Sequence, residues 1–470
     1  MGEPFLDRPA MFSTRKIWAL WFLLVFGLFN IYGPALKSYR AGPDETLQTV
    51  AARMTPLQLL GVLVRNDIDT ARYFSYAQAM LGRPYASYYV RKAEDWRDTS
   101  QDESKSWPQV TPERPLQPWR DFSMEYPPGM PIFALLPALL TQDFNTYHLL
   151  FALEMELLLT LSVWAAARAV ERARPGAGAR FLGLAVAIMA ATGFLAARRY
   201  DACVSVSLGL SVLALAARPA LAGAALAFGI VCKGAPILFA PVGALYYVAQ
   251  KRWRDLAGAL GAAVLLGLLA GFAYLGLSGD HWSDAFAYHG ARPLQIESTW
   301  SALLIFAQIF DPALVSGSSY GFGSDNVVSA YEPLLRPLGS VAPILATLAI
   351  WLWAARALRG CAGEAERLIV VAKAVCALVV AFSALGKVFS PQYLIWLTPI
   401  AALACLESSR RVLVPLFAGL ILSQIEYPFV YTYLAASLPP AFGLLALARN
   451  VALLVWAWRL LAPDERPKAI

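Results

Sequence analysis

The chain has 470 residues, 58% hydrophobic and 15% charged, with a formal net charge of +7 and a mean hydropathy of +0.52. A soluble domain of this size does not carry so much apolar sequence, and alternating strand patterns are missing, so an all-α polytopic membrane protein is expected and a transmembrane barrel is excluded. The basic excess is scattered rather than gathered in one patch with interleaved aromatics, which suits an anionic bilayer and argues against a nucleic-acid partner.

Arg15 and Lys16 precede the first apolar run, at about 17–36, which continues without a small-residue cleavage site and reads as an uncleaved first span. A hydrophilic, proline-rich segment follows over about 37–128 and reads as the first outer loop; it bears Trp96, Trp107 and Trp119. Within it Tyr73, Phe74, Tyr76, Ala77, Met80 and Leu81 recur with a helical period, predicting an amphipathic helix on the membrane surface. The next run, 129–141, is bracketed by prolines. At about 1.5 Å per residue it is too short for a hydrocarbon core of ~30 Å, so it is read as re-entrant or interfacial.

Apolar runs then recur at about 147–170, 181–197, 202–217, 219–232, 236–249, 256–277, 338–358, 368–386, 393–406, 412–430 and 440–460. With the first run this gives about twelve spans in one membrane-embedded domain, 1–470. A second outer loop, about 278–337, holds His281, Asp284 and His289 and ends in a Gly/Ser-rich stretch. Both termini face the cytoplasm in this arrangement, because it puts Arg172, Arg174, Arg180, Lys251, Arg252, Arg254, Arg410 and Arg411 inside. None of the five cysteines lies in the long loop, and the three histidines form no zinc-type cluster.

Arg198, Arg199, Lys233, Arg292, Arg336 and Lys387 remain on the outer side against the charge bias. They are either anchors reaching the interface or a set converging on an anion. The first loop supplies acids. Asp67 and Asp69 stand two apart, a spacing that aims both carboxylates to one side of an extended segment. Asp69 suits a helix cap, a general base, or half of a paired-carboxylate metal site. Glu125-Tyr126-Pro127-Pro128-Gly129 forms a rigid kink ahead of the short apolar run.

Asp69 with Tyr73 and Tyr76-Ala77, then Leu81-Gly82-Arg83-Pro84-Tyr85, Asp121-Phe122 and Glu125-Tyr126-Pro127-Pro128, resemble the first outer loop of glycosyltransferase family 87. Arg199-Tyr200-Asp201, Lys233 with Pro236, the run Arg292 to Ser298, and Ser390-Pro391-Gln392-Tyr393-Leu394 with Trp396 extend the likeness over about 60–400. The polar insert between Tyr85 and Asp121 departs from it and bears on the acceptor side. The resemblance implies a polytopic transferase of the GT-C class, typified by polyprenyl-phosphomannose-dependent α-mannosyltransferases of actinobacteria.

The implied reaction moves one sugar, hexose (mannose-like) or pentose, from a polyprenyl-phosphate carrier to a glycan or glycolipid hydroxyl, with inversion. It would run at the outer face of a bacterial cytoplasmic membrane. Asp69 is the expected base, with Asp67 as rival. Arg198, Arg199, Lys233, Lys387, Gln392 and Tyr393 are expected at the donor phosphate, and Glu125, Tyr126, His289, Arg292, Gln295 and Glu297 at the acceptor or sugar. No cofactor is expected; a divalent cation is allowed but not required, since side-chain cations can neutralise a monophosphate. The competing classes are a polyprenyl-lipid or glycolipid flippase, which would use the same cations, and a glycan ligase acting on diphosphate-linked polymers. The flippase reading sits poorly with the scarcity of mid-span acids, Glu154, Glu156 and Asp201 being the main exceptions.

Overall fold

A computed structural model describes Trp18, Trp21 and residues 68–95, 109–193, 199–435 and 437–462. The predicted first span, apart from those two tryptophans, lies outside the described residues, as do Asp67, Trp96, Trp107 and Arg198. The described chain is an all-α membrane protein with two small hairpins.

Helix α1 (Ile68–Met80) precedes a two-residue ribbon of β1 (Tyr85–Ala86) and β2 (Gln109–Val110). Helices α2 (Met130–Leu140), α3 (Phe144–Ala173), α4 (Gly178–Thr192), α5 (Ala202–Leu215), α6 (Pro219–Lys233), α7 (Ala240–Ala249) and α8 (Trp253–Ser278) follow. The second outer loop holds α9 (Asp284–Ala291), α10 (Thr299–Ala307) and an antiparallel hairpin, β3 (Gly317–Gly321) with β4 (Ser324–Val328). The chain closes with α11 (Leu338–Gly360), α12 (Glu364–Leu385), α13 (Leu397–Ala404), α14 (Arg410–Gln424) and α15 (Pro440–Leu461).

Five of these helices are long and apolar enough to cross a membrane: α3, α8, α11, α12 and α15. The runs predicted over 181–197 and 202–217 are helices of 15 and 14 residues. At 1.5 Å per residue each is only about 22 Å long. Helix α5 is wedged between α3 and α6 and buried on every side over Ala202–Gly209, which explains a sequence that is apolar all round. Helix α8 is the opposite case, packed mainly on α6 with most of its surface outside the protein.

Helix α1 departs from the amphipathic surface helix that its periodicity predicts. Its polar residues Arg72, Ser75 and Gln78 are buried along with Tyr73, Tyr76 and Ala77. Aromatic contacts Phe74–Tyr147 and Tyr73–Phe151 lock it onto α3, and the segment around Glu125 covers the remaining face. The kink at Pro127-Pro128 delivers Gly129 against α6, where its amide donates to the Val231 carbonyl at 2.9 Å. A Cβ there would sit 2.7 Å from Cys232 Sγ, so the approach requires glycine.

Contacts sort the connections into two ends. At one end Arg174 pairs with Glu407, Arg252 donates to the Ala216 carbonyl at 2.7 Å, and Tyr246 donates to Glu364 at 2.6 Å. That end carries the basic short loops. At the other end Lys233 meets Asp201, and the Gln295 amide donates to the Lys387 carbonyl at 3.0 Å. A large cavity opens at this second end.

Candidate active site

The cavity has a volume of about 1130 Å³. Of the residues singled out from sequence, Asp69, Glu125, Tyr126, Arg199, Lys233, His289, Arg292, Gln295, Glu297, Gln392 and Tyr393 line it. They come from segments up to 324 positions apart, gathered because helix ends α1, α5, α6, α9 and α12 meet there. Lys387 is not among the lining residues: its ammonium donates to the carbonyls of His289 and Gly290 at 3.3 and 2.9 Å, tying down the end of α9.

Asp69 stands in the first turn of α1, where a carboxylate complements the helix dipole. Its Oδ2 lies 3.3 Å from Arg199 Nε and its Oδ1 3.8 Å from Arg72 Nη1. Arg72 and Tyr76 follow at helical spacing, so they share the face of Asp69. Arg72 Nη1 also donates to Glu125 Oε1 at 2.7 Å, and Tyr76 donates its hydroxyl to Glu125 Oε2 at 2.9 Å. Burial pushes the Glu125 carboxyl up, but Arg72, backbone amide and Tyr76 outweigh it, and the net position is below its ordinary value. Glu125 is therefore ionised and committed to Arg72, whereas Asp69 keeps longer ion-pair contacts and faces the cavity.

Lys233 closes α6 and reaches Asp201 Oδ2 at 3.1 Å. Asp201 is fully buried, and its Oδ1 accepts from Trp396 Nε1 at 2.7 Å. The ammonium also sits 4.2 Å from the centre of the Tyr200 ring, a cation–π contact. Tyr393 packs on Trp396 with ring centres 4.8 Å apart, so the Pro391–Trp396 3₁₀ turn presents Gln392 and Tyr393 beside Lys233. Arg292 differs from the other cations. It donates to Ser324 Oγ at 3.1 Å, has no carboxylate partner among the described residues, and its buried Nε makes no hydrogen bond.

His289 Nε2 donates to the Glu125 carbonyl at 3.1 Å. The ring stands exposed on the cavity wall, and partial desolvation there, with Arg292 nearby, holds the imidazole below its ordinary value. Glu297 is buried, accepts from Gln295 Nε2 at 2.6 Å, and pairs with Arg449, which also pairs with Glu426 and stacks 3.9 Å from the Phe389 ring centre. Glu297 is thus committed to the wall, whereas the buried Gln295 Oε1 has no hydrogen-bond partner among the described residues.

The β3–β4 hairpin leans over the cavity. Its two-residue tip, Phe322-Gly323, has φ of 55° and 68°, a primed turn that suits glycine and strains phenylalanine. Gly323 faces Arg72, and Phe322 packs on Tyr288 with ring centres 5.1 Å apart. Asp325 accepts from Tyr431 at 2.6 Å. Trp119 is buried, donates to the Tyr126 carbonyl at 3.0 Å and packs on Tyr274. Sequence reasoning missed Arg72, Tyr288 and Asp325; only Arg72 left a signal, by its spacing of three from Asp69.

The flank along α8 and the end of α6 is apolar. Gly267, Ala270 and Gly271 line the cavity there, with Ile230 and Ile237 opposite. Gly267 and Tyr274, seven residues apart, both line it, so the cavity follows the helix for about 10 Å.

A family model described as glycosyltransferase family 87 matches residues 125–391, more than half of the chain. The chain belongs to that family. Family membership implies glycosyltransferase activity, with a sugar donor and an acceptor as substrates of a membrane-embedded enzyme. The match begins at Glu125 and ends at Pro391, so Asp69 and Tyr393 fall outside it and rest on geometry alone. No curated protein and no solved structure matches the chain.

Proposed function

We propose that the protein transfers one sugar from a polyprenyl-phosphate carrier to an acceptor hydroxyl, with inversion, at the outer face of the cytoplasmic membrane. The observation that carries this reading is the join between a cation-lined chamber and an apolar flank descending along an exposed helix. A phosphate with a long hydrocarbon tail needs both; a nucleotide-sugar needs only the first. The outer face is supported by the basic loops at the opposite end of the bundle, where Arg172, Arg174, Arg252, Arg254, Arg410 and Arg411 cluster. A GT-C-type bundle of about twelve spans fits this orientation.

Asp69 acts as the base that takes the acceptor proton while the oxygen attacks the anomeric carbon. The bond to the phosphate oxygen breaks, and the leaving prenyl phosphate carries the new negative charge. Arg292, expected from sequence on the acceptor side, joins Lys233, Arg199, Gln392 and Tyr393 at that phosphate, because no carboxylate among the described residues compensates its charge. Glu125, Tyr126, His289 and the β3–β4 hairpin form the acceptor side.

The test uses purified protein and a panel of synthetic polyprenyl-phosphate sugars, wild type beside Asp69→Asn. Consumption of one donor by wild type and loss in the folded variant supports the reading. If every donor remains intact and proteoliposomes move a fluorescent prenyl phosphate across the bilayer, the transferase reading falls to that of a flippase.

A further inference from the structure

The β3–β4 hairpin places an aromatic ring where its turn favours none. Gly321 pairs with Ser324, so Phe322 and Gly323 form a two-residue loop in which both residues have positive φ. Asparagine or glycine meets that requirement at the first position, whereas the Cβ of phenylalanine crowds the following carbonyl oxygen. Burial offsets little of that strain. The ring stays half-buried and meets Tyr288 of α9 with centres 5.1 Å apart and planes at 55°, rather than face to face.

Successive side chains of a strand point to opposite faces. Ser318 and Tyr320 of β3 line the cavity and Ser319 and Gly321 do not, so Phe322 continues the face that β3 turns inward. The tip also stands next to the proposed base. Arg72 Nη1 lies 3.8 Å from Asp69 Oδ1 and 3.1 Å from where a Cβ on Gly323 would sit, so the turn and Asp69 flank one guanidinium nitrogen. Polar groups border the two rings: His289 beside Tyr288, Asp325 just past the turn, and Glu125 on Arg72.

We propose that Phe322, with Tyr288 beside it, is the platform on which a sugar ring of the acceptor lies, and so selects a cyclic sugar over an open-chain alcohol. The inference rests on the transferase reading and on the assignment of the hairpin to the acceptor side. A pyranose presents C–H bonds on its faces and hydroxyls at its rim. Aromatic faces carry negative charge density that attracts the C–H hydrogens. An aromatic surface bordered by hydrogen-bonding groups matches both parts of such a ring. The prenyl chain has no use for that pattern, and the flank along α8 that suits it is lined by Gly267, Ala270 and Gly271. A ring lying on Phe322 brings a rim hydroxyl toward Asp69 across the Arg72 guanidinium.

The experiment reads binding apart from turnover. Saturation-transfer NMR follows methyl hexopyranosides, with open-chain hexitols as controls that match the hydroxyls but lack the ring, on wild type, Phe322→Asn, Phe322→Leu and Phe322→Tyr. Wild type should saturate the pyranoside ring protons and leave the hexitols largely unmarked. Phe322→Asn and Phe322→Leu should each weaken pyranoside binding about tenfold, the second because it keeps apolar bulk but no aromatic face, and Phe322→Tyr should stay within about twofold of wild type. With the pyranoside as acceptor and the donor that wild type consumes, Phe322→Asn should raise acceptor KM about tenfold while donor KM holds. Asparagine suits the turn, so this variant should unfold at or above the wild-type temperature, which separates loss of the platform from collapse of the hairpin. Pyranoside binding unchanged in Phe322→Asn, binding weakened only together with a lower unfolding temperature, or a rise confined to donor KM overturns the proposal. Every donor left intact while Phe322-dependent ring binding persists would overturn the transferase reading instead, so the two failures are distinct.

Discussion

Replacing Asp201 by asparagine isolates the buried ion pair behind the cavity. Asp201 is fully buried, and the Lys233 side chain is 11% exposed. Removing one partner of such a pair strands the other, at a typical cost of about 3–5 kcal/mol. Two contacts soften this. Asparagine retains an acceptor for Trp396 Nε1, worth about 1 kcal/mol, and the Tyr200 ring, 4.2 Å from the ammonium, retains about 1 kcal/mol of cation–π attraction. The net expectation for Asp201→Asn is therefore about 1–3 kcal/mol of destabilisation. Lys233→Met strands the carboxylate instead and should cost about as much, whereas the double variant Asp201→Asn/Lys233→Met should recover most of the loss, because neutral isosteres carry no desolvation penalty. Thermal and denaturant unfolding of the detergent-solubilised protein, followed by tryptophan fluorescence, measures all three. Wild-type stability in Asp201→Asn, or a double variant less stable than either single one, would refute the reasoning.

Gly271→Leu should fold normally, since a Cβ there meets nothing within 4 Å, yet it should cut transfer from long-chain prenyl donors about tenfold while sparing short-chain ones, by blocking roughly 1.4 kcal/mol of apolar contact. Glu125, whose carboxyl lies below its unfolded value of 4.5, contributes stability that is present above that pH and lost as pH falls through the folded value. The unfolding midpoint of wild type should thus drop below pH 4.5, and Glu125→Gln should show a shallower acid step in the same titration. Arg292→Met should act mainly on donor KM and Lys233→Met mainly on kcat, read from steady-state kinetics over a donor series.

The long apolar helices were legible because their signal is local. Runs predicted at 256–277, 338–358, 368–386 and 440–460 correspond to helices α8, α11, α12 and α15 within a few residues. Less visible was the burial of α1: its period marks an apolar stripe, but the placement of Arg72 depends on Glu125, 53 positions away. The same limit governs the site. Asp69, Glu125, Arg199 and Lys233 stood out as charges at the edges of apolar runs, yet their pairing is tertiary information. Asp325 left no signal, because a hairpin folded over a cavity has the composition of an ordinary Gly/Ser-rich loop, and Tyr288 left none because it sits mid-helix in α9 with no charge beside it. Lys387 reads from sequence as a phosphate ligand, but its ammonium is spent on two backbone carbonyls.

The pairing pattern also orders the proposed reaction. Arg72, Arg199 and Lys233 each have a carboxylate partner in Glu125, Asp69 and Asp201, while Arg292 has none among the described residues. A sugar linked through phosphate to a prenyl chain carries a single negative charge, which one unpaired arginine matches. Departure of the prenyl phosphate adds a second negative charge, and only then does a further cation gain by turning toward the phosphate. Lys233 and Arg199 can share their charge at that stage, since each pair joins an amine or guanidinium donor with hydrogens to spare to a fixed acid. Interactions that strengthen as charge develops lower the barrier, whereas those already complete in the bound donor do not. A site with every cation unpaired would bind the donor more tightly and turn it over more slowly, so the acids beside the cations serve the chemical step as well as the fold.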